Sequence, residues 1–201
     1  MERMRLGKIA RFVLVWILGS ASLAAAATYR VDPAHSSVLF HIRHLFTTVT
    51  GRFSTFEGTI VYDDKQAAAT KVDGSIDAAS IDTNVKKRDD HLRSADFFDV
   101  EKFPKIAFQS AGVSDLDASG HKGKMHGALT MHGVTKPVVL DVAFLGKGKD
   151  PGGKERAGFH ATTTVDRKEF GLTWNKTVES GGLLVGDDVT IEIDVEAIQE
   201  G

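Results

Sequence analysis

Alternation of apolar and polar residues dominates the chain from Tyr29 onward. The clearest case is the C-terminal run 189–196, in which aliphatic residues alternate with Thr190, Glu192 and Asp194. A period of two residues is typical of β-strands that bury one face. Similar runs begin near residues 38, 49, 72, 106, 125, 138 and 157. The pattern therefore predicts an all-β protein of about eight strands, mostly in meander order.

An even number of antiparallel strands favours a closed barrel, because closure removes exposed strand edges. A sandwich of two sheets is the alternative architecture. A barrel of eight strands can fill its interior with side chains or hold one small ligand. Small residues occupy several positions that should face inward, and we expect them to leave room for a ligand: Gly51, Gly74, Gly127, Ala157 and Ala161.

Two segments interrupt the alternation. The stretch 81–110 carries a charged pattern that predicts a short helical insertion near residues 84–95, with Asn84 at its N-terminus, because asparagine is a favoured helix cap. Aromatic residues follow the charges, and Pro104 then favours extended backbone at the preceding residue. The second irregular segment spans residues 166–188. Both segments could cover an end of a barrel.

The N-terminus predicts export. Residues 1–27 combine four basic residues, an apolar stretch at 12–18 and a run of alanines, which is typical of a secretory signal peptide. We expect cleavage after Ala26 or Ala27 and location in the periplasm. An uncleaved membrane anchor is the alternative, but the apolar stretch is shorter than the roughly 20 residues that a helical span needs. After cleavage, the domain of residues 28–201 should have no integral membrane span. The chain contains no cysteine, which excludes disulfides and a lipid anchor on a thiol.

Charge and residue spacing exclude several classes of function. Without residues 1–27 the chain keeps 21 basic and 26 acidic side chains, whereas nucleic-acid binding calls for clustered positive charge. The eight histidines lack metal-binding spacings, and no G-x-S-x-G motif is present. Asp89, Asp90 and His91 are adjacent, but neighbours on a helix point apart. We therefore expect no metal site, no catalytic residue and no enzyme activity.

Several long motifs resemble the YceI-like family of exported proteins, which are described as polyisoprenoid-binding and lipocalin-like. These motifs are HSSVLFHIRH at 35–44, VTGRFSTFEGTI at 49–60, residues 81–110, ALTMHGVTKPV at 128–138 and DRKEFGLTWNK at 166–176. The resemblance implies an extended antiparallel barrel that holds an isoprenoid lipid or an isoprenoid quinone, with no required cofactor. It leaves open a carrier or a store, an enzyme that modifies such lipids, and a stress-related interaction protein with a filled barrel. A homodimer is also possible.

If the resemblance holds, apolar strand faces and the two insertions should line the cavity. The expected lining residues are Phe40, Ile42, Phe53, Phe97, Phe98, Phe108, Leu129, Met131, Phe144, Phe159, Phe170 and Trp174.

Basic residues beside the aromatic ones should meet a polar head group at one mouth. The first candidates are Arg88, His91 and Arg93, and the alternative set is His41, Arg43 and His44. On this hypothesis residues 81–110 form a gate, which requires that Phe98 and Phe108 border the same internal cavity.

Overall fold

The computed structural model describes residues 26–178 and 181–201. Nearly all of the predicted signal peptide lies outside these residues. Among the described residues, no helix is long and apolar enough to cross a bilayer.

Within the described residues the chain forms eleven strand segments and a single α-helix. The strands are β1 (Ala27–Val31), β2 (Ser37–His44), β3 (Thr47–Phe53), β4 (Phe56–Tyr62), β5 (Lys71–Asp77), β6 (Ile81–Asp82), β7 (Lys105–Ser114), β8 (Lys122–Met131), β9 (Val134–Lys149), β10 (Glu155–Asp166) and β11 (Val185–Gln199). The helix α1 spans Lys86–Arg93, and short 3-10 turns occupy Pro33–His35, Ala67–Ala69, Ala78–Ser80 and Arg167–Phe170.

The eleven segments act as eight strands. β1 and β2 pair with successive parts of β11, and they also pair with β4 and β3, respectively. β5 and β6 likewise pair with β4 and β3. From β5 the sheet continues through β7, β8, β9 and β10 to β11, and the β1–β11 pairing closes it. Every pair is antiparallel, so the predicted eight-stranded meander barrel is confirmed.

Polar caps explain where the interrupted strands break. The carboxylate of Asp32 accepts a hydrogen bond from the backbone N–H of Ala34, and Asp77 does the same for Ala79. Each aspartate therefore satisfies a donor that the strand ladder leaves free at a 3-10 turn. These breaks let a long strand bend around the barrel while its pairing continues on the other side.

The barrel has two distinct ends. The helical end carries the β2–β3 turn, α1, the β8–β9 turn and residues 167–178 and 181–184. The terminal end carries the β4–β5, β7–β8 and β9–β10 turns together with β1 and the end of β11. A buried apolar cluster lies toward each end. The one toward the helical end includes Val38, Phe53, Met131 and Phe170. The one toward the terminal end includes Tyr29, Ile60, Tyr62 and Ala197.

The start of the helix differs from the sequence prediction. α1 begins at Lys86, with Val85 in the capping position. Asn84 instead adopts a left-handed backbone conformation with φ of 62°, and its N–H donates to the carboxylate of Asp82. Asparagine tolerates this conformation better than most residues. The residue therefore turns the chain out of β6 before the helix, rather than capping it.

Candidate functional site

An apolar cavity of about 650 Å³ lies inside the barrel. This volume falls within the roughly 300–1,000 Å³ that is usual for small-molecule sites. Eleven of the twelve predicted lining residues border it: Phe40, Ile42, Phe53, Phe97, Phe98, Phe108, Leu129, Met131, Phe144, Phe159 and Trp174. Phe98 and Phe108 thus share one cavity, which is the arrangement that a gate at residues 81–110 requires.

Phe170 does not face the cavity, which corrects the sequence expectation. Its side chain is 1% exposed and belongs to the packed cluster that contains Val165 and Leu172. The 3-10 turn Arg167–Phe170 carries the ring out of the strand pattern and into the wall. Phe170 therefore supports the site from behind, without access to a ligand.

Gly51 and Gly127 do not leave empty space, contrary to the prediction from side-chain size, whereas Gly74 and Ala161 border the cavity. A Cβ placed on Gly51 would lie 2.2 Å from the ring of Phe40, and one placed on Gly127 would lie 2.4 Å from the ring of Phe108. Real Cβ atoms do not approach other atoms so closely. The rings of Phe40 and Phe108 therefore occupy the space that a side chain at Gly51 or Gly127 would need.

A buried carboxylate positions the cavity-facing side of α1. Asp89 is 6% exposed and accepts hydrogen bonds from both the N–H and the hydroxyl of Thr83. Arg88 donates to the hydroxyl and to the carbonyl of the same threonine. These bonds fix the loop between β6 and α1. As a result, Val85, Lys87 and Arg88 border the cavity at the helical end.

An aromatic cluster joins α1 to the second insertion. The ring centroid of Trp174 lies 4.8 Å from that of His91 and 5.2 Å from that of Phe97. His91 and Phe97 are themselves in edge contact at 5.0 Å. Such aromatic pairs contribute about 0.5–1.5 kcal/mol beyond the burial of their area. The two insertions therefore cover the helical end as one connected unit.

The structure separates the four head-group candidates. Arg88 and His91 border the cavity, but Arg93 is directed away from it and donates to the carbonyls of Ala79 and Ile81. His41 lies on the outer face of β2, where it contacts Thr50 and Glu192. Arg93 and His41 are therefore placed to support the wall and not to meet a bound head group.

The alternative set is divided in the same way. His44 borders the cavity, whereas Arg43 donates to the carbonyl of Leu45 at the β2–β3 turn. With His41 on the outer face, only His44 of this set remains in position to contact a ligand. The basic groups that border the cavity at the helical end are therefore His44, Lys87, Arg88 and His91, together with the buried Arg167.

Arg167 holds the second insertion in place. Its side chain is buried, and its guanidinium donates to the carbonyls of Gly186, Leu172 and Trp174. Burial lowers the pKa of Arg167 from its ordinary value, although nearby aspartates oppose the shift. Since one side chain satisfies three carbonyls, it fixes the irregular backbone at residues 172–174 to that at residue 186.

Aromatic packing narrows the cavity at the terminal end. Tyr62 stacks on Phe144 with a centroid separation of 4.7 Å and meets Phe159 edge-on at 5.5 Å. Among the described residues, the hydroxyl of Tyr62 is the buried side-chain group that has no hydrogen-bond partner. Burial raises the pKa of Tyr62 above its ordinary value. The phenol therefore stays neutral and can still donate a hydrogen bond.

Charged groups on the outer surface brace the terminal end. Arg156 pairs with Asp32, Asp150 and Glu196 at 2.6–2.8 Å. Lys147 pairs with Asp64 across the β4–β5 turn and β9.

Two groups on the outside of the described barrel have side chains close enough to share a metal ion: Asp32, His35 and Glu196, and also His160, Glu192 and Asp194. In the first group the guanidinium of Arg156 already forms ion pairs with the carboxylates of Asp32 and Glu196. In the second, His160 bonds Asp194 and Glu192 contacts His41. Each group is thus explained by ion pairs between its own neighbours.

Two residues of the site, and one in the β2–β3 turn beside it, were not singled out from the sequence. Tyr62 continues the inward parity of Phe56 and Ile60, so its strand position was an available signal. Arg167 lies within a matched motif, but its role depends on carbonyls up to 19 residues away. Phe46 occupies the β2–β3 turn, where a large apolar residue between two alternating strands is unusual.

Comparison with known proteins places these features in a wider group. Residues 29–197 match the model of the YceI-like domain. Protein YceI of Salmonella arizonae is 38% identical over 192 residues, which cover 94% of this chain and 96% of that protein. The crystal structure of a YceI protein from Campylobacter jejuni is similar with a TM-score of 0.68 and 34% identity, over 80% of this chain and 91% of that one.

A more distant neighbour shares the fold. It is a polyisoprenoid binding domain from Saccharophagus degradans, with a TM-score of 0.60 and 16% identity over 87% of this chain and 99% of that one.

Proposed function

The chain belongs to the YceI-like family, and on this premise we propose that it binds a long isoprenoid lipid, such as an isoprenoid quinone or a prenyl phosphate, inside its barrel. The single observation that carries the proposal is the cavity itself. It is lined almost entirely by apolar side chains, it extends along the barrel, and His44, Lys87, Arg88 and His91 border it at the helical end. The neighbour from Saccharophagus degradans, a polyisoprenoid binding domain with the same fold, supports this choice of ligand.

The energetics favour a long hydrocarbon. Burial of hydrocarbon contributes about 0.8 kcal/mol per CH₂ group, so a few isoprene units supply on the order of 10 kcal/mol before the costs of ordering are subtracted. The apolar wall offers little to distinguish one chain from another. Specificity therefore depends on the polar head, which His44, Lys87, Arg88 and His91 are placed to meet.

The protein acts in this proposal as a carrier or store, without turnover of its ligand. Its place of action is the periplasm, which the signal-peptide pattern of residues 1–27 supports. The barrel interior offers a charged or polar side chain at each end and apolar side chains between them. That arrangement suits retention of an amphiphile better than chemistry on it.

The decisive experiment identifies the native cargo. The protein is purified from the cells that produce it and extracted with organic solvent, and the released lipids are identified by mass spectrometry. We expect an isoprenoid lipid in near-stoichiometric amount. Recovery of no such lipid from folded protein would overturn the proposal, and conversion of added lipid to a product would identify an enzyme instead.

A matched pair of variants ties the cargo to the cavity. Ile191 borders the cavity, whereas its neighbour Thr190 is exposed on the outer face of β11. Ile191→Trp should fill the centre and abolish the co-purified lipid, and Thr190→Trp should retain it. Equal lipid content in the two variants, both folded by circular dichroism, would place the ligand outside the barrel.

A further inference from the structure

The β2–β3 turn exposes a large aromatic side chain. The turn consists of Leu45 and Phe46, and the side chain of Phe46 is 93% exposed. Leu45 adopts a left-handed backbone with φ of 50°. Exposure of one apolar residue is ordinary for a soluble protein, but Phe46 is far more exposed than the other large apolar side chains of the described residues.

Folding alone does not account for this turn. Two-residue hairpin turns favour Asn-Gly or Asp-Gly, because these residues accept positive φ at little cost. Leucine in a left-handed conformation costs roughly 1–2 kcal/mol, and the ring of Phe46 gains almost no burial in return. The sequence therefore carries two large apolar residues at a position where small polar ones would fold better, which points to a role outside the monomer.

Further apolar groups lie at the same end. The N–H of Leu45 donates to the carbonyl of Leu184, which places the turn beside Leu183, whose side chain is 39% exposed. Val85 is 46% exposed and borders the cavity on the other side of β3. Because His44 and Leu184 also border the cavity, the exposed apolar residues surround its helical end.

Positive charge accompanies these apolar residues. No carboxylate of the described residues forms an ion pair with Arg43, Lys87 or Arg88, as the ion pairs at this end are made by other cations. Asp90 is taken by Lys86 and Arg93, and Asp187 by Arg167 and Lys168. The basic side chains of Arg43, Lys87 and Arg88 are of the kind that the negative surface of a bilayer with anionic lipids attracts.

We propose that the helical end docks on an anionic phospholipid bilayer, with Phe46 inserted at the interface and Arg43 and Lys87 facing lipid phosphates. Aromatic side chains favour the interfacial region of a bilayer, and basic residues nearby add electrostatic attraction. Docking in this orientation sets the helical end of the cavity, with its cover, against the membrane. A lipid could then pass between bilayer and barrel without crossing water.

Co-sedimentation with vesicles tests the proposal. The protein is mixed with vesicles of phosphatidylcholine alone or of phosphatidylcholine with phosphatidylglycerol, and the bound fraction is measured. Phe46→Ala should weaken binding to the anionic vesicles by about tenfold or more, given the value of a buried aromatic side chain. Leu145→Ala is the control, because Leu145 is 64% exposed on β9, away from the helical end, and its binding should equal that of the parent.

Two further variants separate insertion from general attraction. Phe46→Trp should restore binding, and its fluorescence should shift to shorter wavelength and be quenched by brominated lipids. Replacement of Arg43 and Lys87 by glutamine should weaken binding by roughly fivefold for each charge, and the loss should shrink at high salt. Every variant has the same N-terminus as the parent, so any contribution of residues 1–27 to vesicle binding is equal in all of them and does not affect the comparison.

Three results would overturn the proposal: a parent protein that does not bind anionic vesicles, a Phe46→Ala variant that binds as the parent does, or equal binding to both kinds of vesicle. None of them depends on the cargo. The lipid recovered by solvent extraction tests ligand binding independently, so the two proposals can fail separately.

Discussion

The two ends of the barrel are held by different chemistry. At the terminal end, Arg156 and Lys147 pair with carboxylates. At the helical end, Arg93 and Arg167 are directed mainly at backbone carbonyls. The terminal end joins regular strands, whose backbone groups already pair with one another, whereas the helical end contains irregular segments whose carbonyls need donors.

From this difference we expect the terminal end to tolerate single substitutions better than the helical end. Ion pairs at the terminal end depend on pH and salt, but they brace a closed ladder that β1 and β11 complete. The helical end depends on a few side chains that each serve several carbonyls. Loss of one such side chain should free a whole segment, while loss of one surface ion pair should change little.

The largest effect should follow replacement of the buried guanidinium. Arg167→Met leaves the carbonyls of Gly186, Leu172 and Trp174 without their donor, and we expect the free energy of unfolding to fall by roughly 3–5 kcal/mol. Urea denaturation measures the change. Lys168→Met is the control, since Lys168 makes an exposed ion pair with Asp187 and should cost less than about 1 kcal/mol. Equal losses would show that the carbonyl contacts are unimportant.

Removal of the aromatic link between the insertions should open the cover. Trp174→Ala deletes the contacts with His91 and Phe97, and we expect bound lipid to dissociate about tenfold faster, which corresponds to about 1.4 kcal/mol. Transfer of a fluorescent isoprenoid to acceptor vesicles gives the rate. Phe103→Ala is a matched control, because Phe103 packs on His132 at the same end without bordering the cavity. A similar acceleration in this control would contradict a specific role for Trp174.

Removal of the Tyr62 hydroxyl, which has no hydrogen-bond partner among the described residues, should change the stability of the protein. In lipid-free protein, Tyr62→Phe should raise the free energy of unfolding by about 1 kcal/mol, because a buried hydroxyl without a partner is destabilising. Urea denaturation of delipidated protein provides the measurement, and the same experiment with bound lipid tests whether the ligand offers an acceptor. A less stable lipid-free variant would mean that the hydroxyl has a partner after all.

The smallest effect should be the acid sensitivity of the terminal end. Hydrogen bonds from Arg156 and then His35 lower the pKa of Asp32 to about 2, whereas the carboxyl of an unfolded chain titrates near 3.9. The resulting stability is therefore complete above pH of about 4 and is lost as the pH falls toward 2. Arg156→Gln should melt at a lower temperature than the parent at neutral pH, and the difference should shrink in that range.

The matched control for this titration is Arg30→Gln, which removes the exposed pair with Glu200 at the same end. Its melting temperature should follow that of the parent at every pH. A difference between Arg156→Gln and the parent that persists unchanged at pH of about 2 would exclude the carboxyl of Asp32 as its source.

Much of the fold could be predicted from alternation alone. Each of the eight runs corresponds to a strand of the barrel, because one buried face imposes a period of two on the sequence. The breaks within three of these strands were not predicted, since a cap such as Asp32 acts over only two residues. Asn84 was assigned to the wrong role because asparagine suits both a helix cap and a left-handed turn.

The site was harder to predict because it depends on contacts between distant residues. Parity correctly placed the aromatic residues of the strands at the cavity, but it could not show that Phe40 lies over Gly51. The head-group candidates were chosen because they are close in sequence to aromatic residues. Closeness in sequence does not show whether a guanidinium group donates to a backbone carbonyl instead of facing the cavity. Arg93 donates to two carbonyls, those of Ala79 and Ile81, and therefore does not face the cavity.

The width of the cavity depends on two pairs of residues, Gly51 with Phe40 and Gly127 with Phe108. At Gly51 and Gly127 the wall is thinned by the width of a side chain, and the rings of Phe40 and Phe108 occupy that recess. Any larger residue at either glycine would push a ring toward the axis and narrow the bore. The width that the cavity offers to a ligand thus depends on two residues of its wall that carry no side chain.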